Sequence, residues 1–237
     1  MSPESRKKIQ LLLAAGIAIA ALRTGYILYE RHEDNATPVK KEAPPLKADY
    51  YVTPMKLHSY ALKSAKDLTK QPVWVKEGYR YTYYPYNAAR HSSDFAHEVG
   101  TLGPIERLEI KDVVTDITPG ASDQKQVMAV FEKDGKSYSF PIGSVQGSDF
   151  RIYSDDMLFI QDPKDLYKHW SSEVWDAIDK HEVRPGMNQL QASFAVGMGT
   201  PDNLHDASNR TVNYPNGGKP LTVIFQNDKA VSVNQGS

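Results

Sequence analysis

The chain has 237 residues, 40% of them hydrophobic, enough to fill one or two domain cores. Its 28 basic and 29 acidic side chains leave a formal charge of −1, so there is no electrostatic footprint for nucleic acid. The absence of cysteine excludes a disulfide framework, a thiolate metal site, a cysteine nucleophile and a lipid-bearing N-terminal cysteine.

The N-terminus carries the clearest physical signal. Arg6, Lys7 and Lys8 precede an apolar run from Ile9 to Leu22, which Arg23 separates from Tyr26-Ile-Leu-Tyr29. A spanning helix needs about 20 residues, so the run from Ile9 to Tyr29 reaches across a bilayer core if Arg23 snorkels to the interface. Tyr26 and Tyr29 suit the headgroup layer, and the basic cluster keeps the start of the chain cytoplasmic. Residues 1–29 are therefore expected to form a membrane anchor or signal segment, single-pass in the inner membrane, with the remainder in the periplasm. The alternative is a cleaved leader, since Ala18-Ile19-Ala20 is an A-x-A pattern. Either way the rest of the chain is exported. Residues 30–49 are charged, carry three prolines and show no apolar period, so they are expected to be a flexible linker.

From residue 50 to 161 the pattern is mostly of period two, predicting strands at 73–76, 79–86, 107–117, 126–133, 137–142 and 150–160. Asp134-Gly135 marks a hairpin. Short strands with such punctuation point to a small β-rich domain, an SH3-like barrel. Ahead of them, 56–69 reads as a short helix.

Within this region "GYRYTYYPY", residues 78–86, concentrates tyrosines. In one strand Tyr79, Tyr81 and Tyr83 share a face, with Tyr84 on the other; Pro85 leaves Tyr86 unplaced. The favoured reading is a wall of the barrel, because aromatic residues are good strand formers. The competing reading is an aromatic groove for a peptide or glycan. His91, Asp94 and His97 match no metal spacing, and Asp155-Asp156 reads as a turn between strands. His169 and His181 are expected at the surface. No metal or cofactor is expected, and nothing in the pattern assembles an acid, a base and an orienting partner, so an enzyme is not expected.

After Asp162-Pro163 the period lengthens. Asp162 reads as an N-cap, and Leu166, Trp170, Val174, Ala177 and Ile178 fall on one helical face, with Ser171-Ser172 a break. Trp175 lies off that stripe; the favoured reading is a satellite core, and the competing one a candidate binding residue, as a bridge between modules or an interface anchor. Asn188 and Gln191 form a capping-box pattern for a second helix, ended by Gly197 and Gly199. Strands at 210–214, 221–225 and 230–233 complete an α+β module.

"PGMNQLQASFAVGMGTP", followed by "RTVNY" and "LTVIFQNDKAVSV", resembles the SmpA/OmlA, or BamE-like, outer-membrane lipoprotein domain. The match rests on Gly186, Met187, Gln191, Gly199, Pro201, Tyr214, Leu221, Phe225 and Val231, and covers residues 162–237. The resemblance implies two helices on a three-stranded antiparallel sheet and a role in protein–protein contact at the cell envelope. The related β-lactamase-inhibitor fold uses the same layout to bind protein. The chain departs from those lipoproteins in lacking the lipid-bearing cysteine, which favours the inner membrane.

Overall fold

The computed structural model describes residues 14, 16–29, 47–117, 120 and 124–236. Two compact units divide the chain, residues 1–46 and Lys47–Ser237. In the first unit, residues 16–29 are helical and exposed throughout. No helix among the described residues is long and apolar enough to cross a membrane. The expected anchor is therefore not shown; its residues 1–13 and 15 lie outside the described residues, as do 30–46 of the expected linker.

The second unit is α+β. Its chain enters as a single-turn 3-10 helix, Ala48–Tyr51, and runs extended to α1 (Leu62–Ala65) and a further 3-10 turn, Lys66–Lys70. The helix expected at 56–69 thus starts only at Leu62. Ser64 decides the start, because its hydroxyl accepts from the backbone N–H groups of Tyr60 and Ala61.

Ten strands follow: β1 (Val73–Val75), β2 (Thr82–Asn87), β3 (Ser92–Ser93), β4 (Gly100–Thr101), β5 (Arg107–Leu108), β6 (Ile110–Ile117), β7 (Gln124–Lys133), β8 (Lys136–Gln146), β9 (Asp149–Ile152) and β10 (Leu158–Phe159). Most of them build one curled antiparallel sheet, ordered β3-β2-β8-β7-β6, with β4 beside β2 and β9 beside β8. Among the described residues no pairing closes this sheet into a barrel. The β7–β8 hairpin turns at Asp134 and Gly135, both with positive φ, as the Asp-Gly pair predicts. The single strand expected at 150–160 is instead β9, the one-turn helix α2 (Ser154–Met157), and β10. Asp155 and Asp156 belong to α2.

A second, small sheet, β10-β1-β5, is the wall between two hydrophobic cores. Successive strand residues face opposite sides. Val73, Val75, Leu108 and Leu158 therefore enter a core built on Phe131, Phe140 and Ile142. Trp74 and Phe159, opposite each other in register, enter the other core.

That other core is closed by α3 (Pro163–Leu166), α4 (Ser172–Asp179), α5 (Gln189–Val196) and the antiparallel sheet β11 (Thr200–Pro201), β12 (Arg210–Tyr214), β13 (Leu221–Gln226), β14 (Lys229–Gln235). Three of these strands are long; β11 adds a two-residue fourth. The N-cap signals hold: the Asp162 carboxylate accepts from Lys164 N at 2.8 Å, and Asn188 and Gln191 cap α5 reciprocally. The helical stripe from Leu166 is interrupted between α3 and α4, so its phase is lost. In consequence Trp175 is buried, stacked on Trp170 at 5.2 Å between ring centres, while Val174 is only half-buried.

Candidate functional site

The tyrosine stretch does not form one strand. Gly78 is packed against the backbone of Pro104 too closely to admit a Cβ, and the chain turns there. Tyr79 takes a positive φ of 64°, its N–H donating to Leu102 O at 2.7 Å. The ladder of β2 begins only at Thr82, so Tyr79 leaves the face that Tyr81 and Tyr83 share. Tyr83 is buried edge-on between Phe131 and Tyr138, with Tyr81 packed against the same core. Tyr84 meets Phe95 at 5.1 Å on the opposite face, and the Tyr86 hydroxyl lies 3.5 Å from His91 Nδ1. All five tyrosines are at least half-buried.

Tyr79 instead joins the two modules. Its ring rests on Gly197, which ends α5, and on Gly217 in the turn before β13. Together with Glu106 and Lys133 from the first module and Ile178, Asp179 and His181 from the second, it lines a cleft of about 520 Å3. The Glu106 carboxylate accepts from Gly103 N and from Lys133 Nζ, both at 2.7 Å. Burial opposes the Lys133 charge, but the hydrogen bond and charge of Glu106 outweigh it and raise its pKa. Burial, then the Glu106 charge, also raises that of Tyr79. The His181 Nδ1–H donates to Ala195 O at 3.0 Å. The cleft thus offers a neutralised ion pair, a phenol and an imidazole, a set suited to hydrogen-bonding a polar ligand.

A second site surrounds Asp49. Its carboxylate accepts from His169 Nε2 at 2.5 Å, Trp170 Nε1 at 2.7 Å and Asn188 Nδ2 at 2.8 Å. Burial works against the charge, and these three donors more than offset it, holding Asp49 below the usual carboxylate range. Beside it, Lys47 pairs with Asp228 at 2.5 Å, and Asp228 accepts from Gln189, whose own amide oxygen accepts from the Arg210 guanidinium. These groups line a cleft of about 370 Å3. The sequence assigned Asp49 to a linker. The missed signal was Trp170: a buried indole N–H needs an acceptor, and here it is Asp49.

The residues carrying the resemblance are structural. Gly186 adopts a φ of 89° and donates to Ala230 O at 2.8 Å. The Met187 sulfur is buried and accepts from Arg184 N at 3.2 Å. Gly199 faces Val212 and the Tyr214 ring, where a Cβ would stand 2.5 and 2.7 Å from their nearest atoms. Gln191, Tyr214, Leu221 and Phe225 are buried, Pro201 pairs with Val212, and Val231 is exposed. Trp175 lies within the second core against Trp170 and Phe194, so the bridge between modules is Tyr79 rather than Trp175. His91, His97, His169 and His181 are exposed, with the His169 ring on Asp49. Among the described residues no group of three or more metal-ligating side chains converges. Comparison with family models, curated protein sequences and solved structures returns no match for this chain.

Proposed function

We propose that the chain is held in the bacterial inner membrane through residues 9–29 and presents Lys47–Ser237 in the periplasm as a non-enzymatic protein-contact unit. In this reading the curled sheet is of SH3-like kind and the second module of BamE-like kind. The observation that carries it is the helix at 16–29. Successive helical residues turn by about 100°. Ile17 and Leu28 then lie on one side, Ile19 and Tyr26 opposite, Leu22 and Tyr29 between them and Ile27 on the remaining side, all exposed. An apolar stripe fits a groove; apolar residues on every side call for a cover that surrounds the helix, and lipid does so. A cleaved leader remains the alternative fate of the same segment.

The contact role is supported by β14, an edge strand of the β11-β12-β13-β14 sheet. Gly186 and Met187 cover its outer side at Ala230. Beyond that point a cleft of about 690 Å3 opens between Val233–Gly236 and His181–Val183. An edge strand beside an open cleft is a place for a partner's extended segment to pair.

The experiment is a protease-protection assay on spheroplasts expressing the full chain, with photocrosslinking at Val233. The proposal expects a membrane-bound chain cleaved from the periplasmic side, and a protein adduct. Recovery of full-length chain as a free cytosolic species overturns it. A ligand-binding role for the 79–86 stretch is the second reading, favoured only by the Tyr79 edge of the 520 Å3 cleft.

A further inference from the structure

We propose that the strap Lys47–Lys70 seats the folded unit on an anionic phospholipid surface. This inference rests on the membrane-anchor reading and adds a second, peripheral contact to it.

The strap has two sides. Inward go Asp49, held by three donors, Val52 on the second core, Leu57 on the first, and buried Ser59. Asp155 fixes the middle, its two carboxylate oxygens each accepting at 2.9 Å from the backbone N–H groups of Leu57 and His58. Further along, Met55 N donates to the Gln161 side chain at 2.9 Å. Among the strap's other residues Tyr50, Tyr51, Met55, Lys56 and Tyr60, with Lys63 just beyond, are exposed. Tyr51 is 69% exposed and Tyr60 78% exposed, a large apolar outlay for a surface facing only water.

From residue 47 to 66 the strap's own exposed charges are of one sign; Asp67, paired with Lys70, follows them, and Asp155, with exposed Asp156 next to it, stands against the middle. Between Lys47 and Lys66 the only acidic residue is Asp49, and it points inward. Among the described residues neither Lys56 nor Lys63 joins an ion pair, whereas Lys66 and Lys70 do. Phenols and a thioether interspersed with unpaired lysines match the headgroup layer of a membrane bearing anionic lipid. There the rings sit at the acyl boundary and each lysine gains from the surface potential. Covalent linkage to the proposed anchor keeps this surface at high local concentration near the bilayer.

The test reconstitutes the full chain in vesicles of phosphatidylcholine with or without phosphatidylglycerol, using lipids brominated in the acyl chains. Tyr51→Trp and Tyr60→Trp report on the strap. Gln235→Trp, at the opposite end of β14 from the Asp228 turn that holds Lys47, reports on a remote surface. Each is compared with the unsubstituted chain to remove the signal of Trp74, Trp170 and Trp175. Both strap positions are expected to show added quenching with phosphatidylglycerol, with none at Gln235. Replacing Lys56 and Lys63 by Glu should lower the docked-to-undocked ratio at least roughly 30-fold, at about fivefold for each lost lysine.

A chain that floats with the vesicles but shows no added quenching at the two strap positions overturns the strap inference and leaves the anchor standing. Equal quenching at Gln235 overturns it as non-specific. A chain that fails to float removes both readings. A photocrosslinker at Tyr60 that yields a protein adduct in native membranes, in place of lipid, assigns the surface to a protein and overturns the inference.

Discussion

Tyr79 and Gly197 share one contact surface: a methyl group on Gly197 would stand 2.9 Å from Cδ2 of the ring and 2.8 Å from the Gly78 carbonyl oxygen. Gly217 meets the same ring, its notional Cβ 2.8 Å from Cε1. Two glycines from the second module and one tyrosine from the first thus form a joint with no room for a side chain. The small β10-β1-β5 sheet supplies the rest of the join, because its alternate residues belong to different cores.

A double-mutant cycle tests the joint. Gly217→Ala is expected to cost about 1 kcal/mol for its positive φ, plus roughly 1–3 kcal/mol for crowding the ring. Gly147 has a similar φ of 59° and open space around it, so Gly147→Ala reports the backbone cost alone. In a Tyr79→Ala background the cost at Gly217 should fall to that of Gly147. At Gly197, with φ 82° and ψ −173°, relief should be partial, since the Gly78 carbonyl remains. Urea unfolding of the four single and two double variants measures this. Equal costs at Gly217 in both backgrounds would refute the packing.

The Asp49 knot predicts an acid-sensitive strap. The folded pKa of Asp49 is lowered, so its contribution is present above the unfolded value of about 3.9 and is lost as pH falls through the folded value. Asp49→Asn should therefore be less stable than the parent at neutral pH, with the gap closing below about pH 4. Asp49→Ala leaves the Trp170 and Asn188 donors unpaired and should cost about 1–3 kcal/mol more generally. Thermal unfolding between pH 2.5 and 7 measures both. A gap independent of pH would remove the carboxylate's charge from the account.

Elements set by local chemistry were legible in the sequence. The Asp134-Gly135 hairpin, the Asp162 N-cap and the Asn188–Gln191 box each depend on residues within a few positions of one another. Elements set by distant contacts were not. Tyr79 reads as strand by alternation, and only the packing of Gly78 on Pro104, far along the chain, turns it out of line. The first part of the strap, residues 47–61, was not legible, because single polar contacts to Asp155, Gln161, His169, Trp170 and Asn188 hold it. Trp175 falls off a stripe counted through Leu166 and Trp170 because the chain breaks between α3 and α4, and it lies in a core rather than at a bridge.

Replacing tyrosines one at a time separates wall from groove. Tyr83 is 9% exposed and touches two aromatic rings, so Tyr83→Ala should cost about 3–5 kcal/mol. Tyr86→Ala, on the outer face, should cost about 1 kcal/mol or less. Chemical denaturation gives both values. Full stability of Tyr83→Ala with loss of a bound glycan or peptide would restore the groove.

The buried phenols predict a late alkaline transition. Burial, then the charge of Glu77, pushes Tyr81 up to about 12, and burial raises Tyr214 further. Both folded values exceed the unfolded value of about 10. Their contribution is thus fully present below pH 10 and is lost as pH rises through the folded values. Absorbance at 295 nm follows the ionisation of the phenols. A late group should ionise together with the loss of far-ultraviolet circular dichroism. Tyr214→Phe keeps the ring that packs on Gly199 and removes the ionisable group, so the alkaline unfolding midpoint should move upward. Tyr60→Phe should leave it in place. If Tyr214→Phe unfolds at the same pH as the parent, Tyr214 ionises without strain and its burial does not drive the transition.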